Sequence, residues 1–329
     1  ITWILNKGSL PHKEDCWECF QPKTYYLLNA AVFKTFDIRG KSHQIVAMQL
    51  VNFIFSIFIL LFCWRLINRQ NRNSWLKITA FALIAFNPSL AGINVQAAND
   101  TLAILAGVGA IYFSILFFET KTLRSLVWMT AFAIAASIVK ASGLVIAFSI
   151  LAIFVVKLLF APKPSKQILL RPFFIFLISC VIVVPFAGGY FQNYKEYATP
   201  LVANIPKADS ALSLSEPVEM FRPGITSITQ SYFTFRFLEM MKQPYIKNEQ
   251  SPYVIHRTSL WSQLYGRTFF LHFDQYPVTW ESLNPALLTV VRIMLVLGLI
   301  PLSLFLIGFW QTVFRFIKNL FARSADYFS

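Results

Sequence analysis

Residues 43–66 read HQIVAMQLVNFIFSIFILLFCWRL, and Arg65 is the only formally charged side chain among them. About 20 predominantly apolar residues carry an α-helix across a bilayer, whereas a barrel strand is about half that length and alternates in polarity. The run is therefore read as a membrane-spanning helix. Six further apolar runs fall at about 76–92, 100–118, 124–140, 141–160, 173–190 and 287–311. The fold class is predicted to be an all-α polytopic membrane protein, since a helix satisfies its own backbone hydrogen bonds in hydrocarbon.

Composition agrees with that reading. Of the 329 residues 56% are hydrophobic and 13% charged, against about 25% charged in an average soluble domain, which excludes a soluble single-domain enzyme. The same apolar content excludes a disordered chain. The net charge of +14 is spread in short clusters between apolar runs, so no nucleic-acid partner is expected.

The clusters set the topology. Arg65, Arg69, Arg72 and Lys77 lie between the first two runs, and Lys121 and Arg124 precede the fourth. Lys157, Lys163, Lys166 and Arg171 separate the fifth and sixth, and Arg315, Lys318 and Arg323 follow the seventh. The positive-inside rule places all four clusters in the cytoplasm. Residues 6–42 and 191–286 then form two exoplasmic segments, the second carrying short helices. The amphipathic stretch RTSLWSQLYGRTFF at 257–270 is expected to lie near the membrane surface. Ile1 to Leu5 reads as the last turn of a span whose beginning is absent, so the chain is expected to be a fragment lacking its first span. The expected division is a transmembrane core at 1–190, an exoplasmic region at 191–286, and a span with a cytoplasmic tail at 287–329.

Chemistry is expected on the exoplasmic side. His12, Glu14, Asp15, Cys16, Trp17, Glu18 and Cys19 precede an amphipathic helix beginning near Pro22. Crowded carboxylates shift one another's pKa, which suits a general base; the same group also serves as an acidic turn at a helix start. Asp100 opens a span on the same side, either as a helix cap or as a second acidic site. Lys140 is the one basic residue between Arg124 and Lys157, and it reads either as a ligand for a lipid-borne phosphate or as a snorkelling side chain. Arg222, Arg236, Arg257 and Arg267 are further phosphate candidates. Cys16 and Cys19 read as a local disulfide or packed thiols; a zinc site would need His12 and His272 in addition. Cys63 and Cys180 stand out as the most polar residues within the spans and read as small apolar packing groups.

Taken in order, Gln21, Pro22, Tyr25 and Tyr26 (QP-x-x-YY), Asn87 and Pro88 (NP), Asn99, Asp100, Leu102 and Ala103 (ND-x-L-A), and Lys140, Ser142, Gly143 and Leu144 (K-x-S-G-L) resemble the GT-C glycosyltransferases. The nearest branch is the family-39-like group of protein O-mannosyltransferases and lipid A aminoarabinose transferases. The resemblance covers roughly residues 10–190. It implies a sugar donor on a polyprenyl phosphate, a first-loop carboxylate as general base, and inversion at the anomeric carbon. On this reading Asp15 is the first choice of base, Glu18 the second, and Asp100 the second acidic position. Lys140, Arg257 and Arg267 would meet the donor phosphate, and His12, Gln21, Tyr25, Tyr26 and Asn99 the substrates. A divalent metal held by Glu14, Glu18 and Asp100 would be an alternative source of positive charge. The resemblance implies membrane lipid and the lipid-linked donor as partners, a glycan, lipid or protein as acceptor, and a bacterial plasma membrane as the location. A transporter or lipid flippase, and a noncatalytic membrane scaffold, are the competing readings.

Overall fold

The computed structural model describes residues 1–10, 21–70, 73–160, 163–201, 232–242, 259–269 and 285–325. They fall into two compact units, Ile1–Ala85 with Ala91–Glu216, and Phe86–Leu90 with Pro217–Ser329.

The helices, in chain order, are α1 (Thr2–Lys7), α2 (Thr24–Thr35), α3 (Lys41–Gln70), α4 (Ser74–Ala85), α5 (Pro88–Val95), α6 (Asp100–Thr120), α7 (Leu123–Val139), α8 (Leu144–Phe160), α9 (Lys163–Ala187) and α10 (Tyr190–Tyr197). Beyond them lie α11 (Phe237–Lys242), α12 (Leu260–Phe269), α13 (Pro285–Leu297) and α14 (Leu299–Ala325). Among the described residues there is no strand.

Among the described residues five stretches are long and apolar enough to cross a membrane: Lys41–Arg69, Asp100–Thr120, Ala141–Phe160, Ser165–Ala187 and Thr289–Arg315. The run at 124–140 is α7, an apolar helix of 17 residues. The run at 76–92 is not one straight helix: α4 and α5 meet at a 48° bend. The break is written in Asn87-Pro88, because proline pushes the preceding residue out of the helical region. The Asn87 side-chain oxygen then accepts the Leu90 backbone N–H at 2.9 Å and restarts the helix.

α6 and α7 form the centre of the first unit as an antiparallel hairpin. Lys121 ends α6 in the left-handed conformation, and Thr122 caps α7, accepting from the Ser125 N–H. Small residues let the two backbones approach: Ala106, Ala110, Ala133 and Ala136 are all buried, and a side chain at Gly109 would strike the Phe132 ring. Around the hairpin, Phe117, Met129, Ile150, Phe154 and Phe176 build an apolar core with α8 and α9. Phe154 lies 5.7 Å from Phe117 and 5.8 Å from Phe176 between ring centroids. Outward faces stay apolar, with Phe53, Phe58, Phe148 and Val181 exposed, as a lipid solvent requires.

The second unit has its own core, in which Met240, Tyr265, Val291 and Leu295 are buried. The SLWSQLYGR stretch supplies its polar ties. Trp261 Nε1 donates to the Tyr232 carbonyl at 2.6 Å, the Ser262 hydroxyl accepts from the Arg236 N–H at 2.7 Å, and Tyr265 donates to the Leu295 carbonyl. Gly298 leaves room for the Phe269 and Tyr265 rings.

Candidate active site

Four elements of the first unit meet at one end of the bundle. The helix α2 presents Tyr25, Asn29, Ala30 and Phe33 as its buried face. Tyr25 and Phe33 share a cluster with Ala47 and Met48 of α3, with Ala97 and Leu102 packed against it. The start of α2 is tied to α7, the Thr24 hydroxyl donating to the Ile138 carbonyl at 2.7 Å across 114 residues of sequence.

Asn99 is the junction. It stands at the N-cap of α6, but its side chain caps nothing. Its amide instead donates to Gln21 Oε1 at 2.8 Å and, more weakly, to the Val139 carbonyl at 3.4 Å. Asp100 is thus the first helical residue, where a carboxylate favours the positive end of the helix dipole, and the cap reading of Asp100 does not hold.

The Asp100 carboxylate is ion-paired with the Lys140 ammonium, both side chains being about one-third exposed. Lys140 therefore has a partner within the protein, forty residues away in sequence. Its backbone leaves α7 in an extended conformation and enters the short 3-10 turn Ala141–Gly143. Gly143 is required there: a Cβ would collide with the Ala136 carbonyl. The glycine of K-x-S-G-L thus lets the turn fold back on α7 and points Lys140 at Asp100.

Asn52 corrects the expectation that Cys63 and Cys180 are the most polar residues of the spans. It is fully buried in α3, and its amide nitrogen donates to the Gln96 carbonyl at 2.6 Å and to the Ala98 carbonyl at 3.0 Å. Its oxygen accepts from the Tyr25 hydroxyl at 3.3 Å. One side chain thus satisfies two carbonyls of the turn that leads into Asp100 and also holds α2. The signal in the sequence was an asparagine inside an apolar run, at the level of the Gln96–Asn99 turn. Burial, reinforced by the negative charge of Asp100, pushes the Tyr25 hydroxyl up to about 12, so it remains a hydrogen-bond donor at neutral pH.

Tyr26 packs edge-on against Tyr25, with ring centroids 5.7 Å apart. Gln21, Tyr25, Asn99, Asp100 and Lys140 are therefore brought together, with Tyr26 beside them. Arg236 belongs to the second unit, paired with Glu239 at 3.7 Å. His12, Glu14, Asp15, Cys16, Glu18, Cys19, Arg222, Arg257 and His272 lie outside the described residues, as does the side chain of Arg267 on α12. Cys63 and Cys180 are free thiols. Among the described residues no three His, Cys, Asp or Glu side chains group together as metal ligands.

Residues 22–197 match the family described as dolichyl-phosphate-mannose-protein mannosyltransferase, more than half of the chain. The chain belongs to this family. The mannosyltransferase family is a branch of the GT-C glycosyltransferases, so the protein is an integral membrane glycosyltransferase of the class that draws its sugar from a polyprenyl phosphate. Membership decides against the transporter and scaffold readings. The matched residues run from α2 to α10 and include Tyr25, Asn52, Asn99, Asp100 and Lys140, with Gln21 one residue before the match begins. No curated protein and no solved structure matches the chain.

Proposed function

We propose that the protein transfers a sugar from a polyprenyl-phosphate donor to an acceptor hydroxyl at the Lys140 end of the bundle, with inversion. The supporting observation is the convergence of the QP-x-x-YY helix on the Asn99–Asp100 and Lys140 turns, made by the Asn99–Gln21 and Thr24–Ile138 hydrogen bonds and the Asp100–Lys140 ion pair. Asp15 and Glu18 stand a few residues ahead of Gln21 in the chain.

In this reaction Asp15 takes the proton of the acceptor hydroxyl as its oxygen attacks the anomeric carbon from the face opposite the phosphate. Glu18 is the second choice of base. The bond from that carbon to the phosphate oxygen breaks, and its electron pair leaves on the polyprenyl phosphate. An ammonium has three N–H donors; Lys140 uses one on Asp100 and offers the rest to the leaving phosphate, with Arg257 and Arg267 assigned the same task. Asp100 orients Lys140; His12, Gln21 and Tyr26 are assigned to the substrates, while Tyr25 and Asn99, both buried and bonded to Asn52 and Gln21, serve the substrate site by holding its elements in place. Holding donor and acceptor side by side supplies much of the rate. The positive-inside reading of the basic clusters supports an exoplasmic site, and the family-39-like resemblance supports a bacterial plasma membrane. The family's description favours a protein acceptor over a glycan or lipid.

The test supplies membranes holding the protein with a polyprenyl-phosphate mannose and an acceptor peptide. Asp15→Asn is expected to lower transfer at least about a hundredfold, the usual weight of a general base. Asp100→Asn is expected to lower it as well, and undiminished transfer by both variants would remove the site. Chelation with EDTA separates the sources of positive charge. Transfer unaffected by EDTA leaves the task to Lys140, and transfer lost with EDTA and restored by a divalent ion assigns it to a metal on Glu14, Glu18 and Asp100.

A further inference from the structure

The span α3 carries a polar face in the middle of its apolar run. Gln49, Asn52 and Ser56 are spaced as one side of a helix. The Gln49 amide donates to the Val95 carbonyl at 3.0 Å, and the Asn52 amide to the Gln96 and Ala98 carbonyls. Ser56, buried one turn further on, donates to the Asn52 backbone carbonyl at 2.7 Å. The three carbonyls held from α3 follow the end of α5, where a helix leaves its last carbonyl groups without partners of its own.

Depth sharpens that need. Asn52 lies about 16 Å along α3 from its first residue, Lys41. Irregular backbone survives at membrane depth only where protein groups replace water. Asn52 is fully buried and meets two carbonyls with one amide, while its oxygen takes the Tyr25 hydroxyl of α2. The turn it holds leads directly into Asn99, bonded to Gln21, and Asp100, ion-paired with Lys140.

We infer that Asn52 is a positioning residue for sugar transfer, setting from within α3 the placement of Asp100, and through it Lys140, against α2. The inference rests on the transfer reading above. Being buried, Asn52 touches neither substrate and acts through Asp100. Without its amide the Gln96 and Ala98 carbonyls turn toward other donors, and the first turn of α6 moves with them. A misplacement of about 1 Å at a reacting group can cost about a hundredfold in rate.

The test measures transfer from polyprenyl-phosphate mannose to an acceptor peptide in nanodiscs. Asn52→Leu is expected to lower kcat at least about tenfold with the donor KM within about twofold, the pattern of an interaction realised in the transition state. Added to Asp100→Asn, the same change is expected to cost nothing more, because both act through one carboxylate. Phe154→Leu loosens the core around the α6–α7 hairpin and is expected to leave kcat within about twofold in the folded protein. Tyr25→Phe removes one of the three Asn52 side-chain bonds and is the milder variant, expected to lower kcat about threefold in the wild-type background and not in Asp100→Asn. Hydrogen exchange gives a reading apart from activity: amides of residues 96–103 are expected to exchange at least about tenfold faster in Asn52→Leu, with those of α8 unchanged. Full kcat in folded Asn52→Leu, losses that multiply with Asp100→Asn, or unchanged exchange at 96–103 would overturn the inference and leave the transfer reading standing. Wild-type protein that transfers no sugar from any polyprenyl phosphate would sink that reading, and this inference with it.

Discussion

The two ends of the first unit treat the same residue types in opposite ways. At the Lys140 end, buried and half-buried polar side chains are bonded between elements 40 to 114 residues apart in sequence, Asn52 and Asn99 buried and the Asp100–Lys140 pair about one-third exposed. At the Arg69 end, Arg69 Nε meets Glu119 at 2.8 Å with both side chains well exposed. There Lys121 and Lys157 both lie over the Phe118 ring, at 5.1 and 5.3 Å. Exposed pairs contribute little to stability, because water already solvates both partners. Buried networks are costly when incomplete, since each orphaned group loses its water without gaining a partner. The bundle thus keeps one end generic and solvated and the other specified, and the specified end holds the family's motifs.

Substitutions should separate the ends, beginning with the largest effect. Lys140→Met removes the cation of the proposed site and should lower transfer at least about a hundredfold, the scale of a lost transition-state charge partner. Lys140→Arg, which keeps the charge, should recover part of it. Asn52→Leu leaves two buried carbonyls and the Tyr25 hydroxyl without their partner, at about 1–3 kcal/mol each, read as a lower unfolding temperature in detergent. Gly143→Ala forces the Lys140 turn away from α7 and should cost about 1–3 kcal/mol, the usual penalty of overpacking.

Alkaline pH gives a smaller and graded test. Burial pushes the Tyr25 hydroxyl from 10 to about 12, and Tyr190 likewise. Between those values the unfolded chain has lost the phenolic proton while the folded chain keeps it. Stability is therefore full below pH 10 and falls as pH rises toward 12. A thermal-unfolding series across that window should show the decline, and Tyr25→Phe should make it shallower, with Tyr190 and Tyr265 keeping their share. At the other end Glu119→Gln should leave the unfolding temperature nearly unchanged in the same assay, because water already solvates both partners of that pair.

Much of this arrangement was legible in the sequence. Apolar runs and the spacing of Lys and Arg marked the long helices α3, α6, α7, α8 and α9, because span length and charge placement are set by the bilayer and not by tertiary detail. The bend at Asn87-Pro88 escaped a hydropathy reading, which averages over the one residue that lacks an N–H. Asp100 and Lys140 were each visible as isolated charges beside apolar runs. Their pairing was not, since it depends on Gly143 allowing a turn against Ala136, a contact no spacing rule encodes. Asn52 was hidden for a related reason. Within an apolar run it looks like tolerated polarity, and its use appears only when the carbonyls of Gln96 and Ala98 are placed against it.

The most direct test of the central claim measures sugar transfer in sealed vesicles containing the protein and a radiolabelled polyprenyl-phosphate mannose, comparing Asp100→Asn with Glu119→Gln. The specified end predicts a loss of at least about tenfold for the first, the effect of disorienting a charge partner, and a change within about twofold for the second. Equal rates in the two variants, or a greater loss in Glu119→Gln, would contradict it.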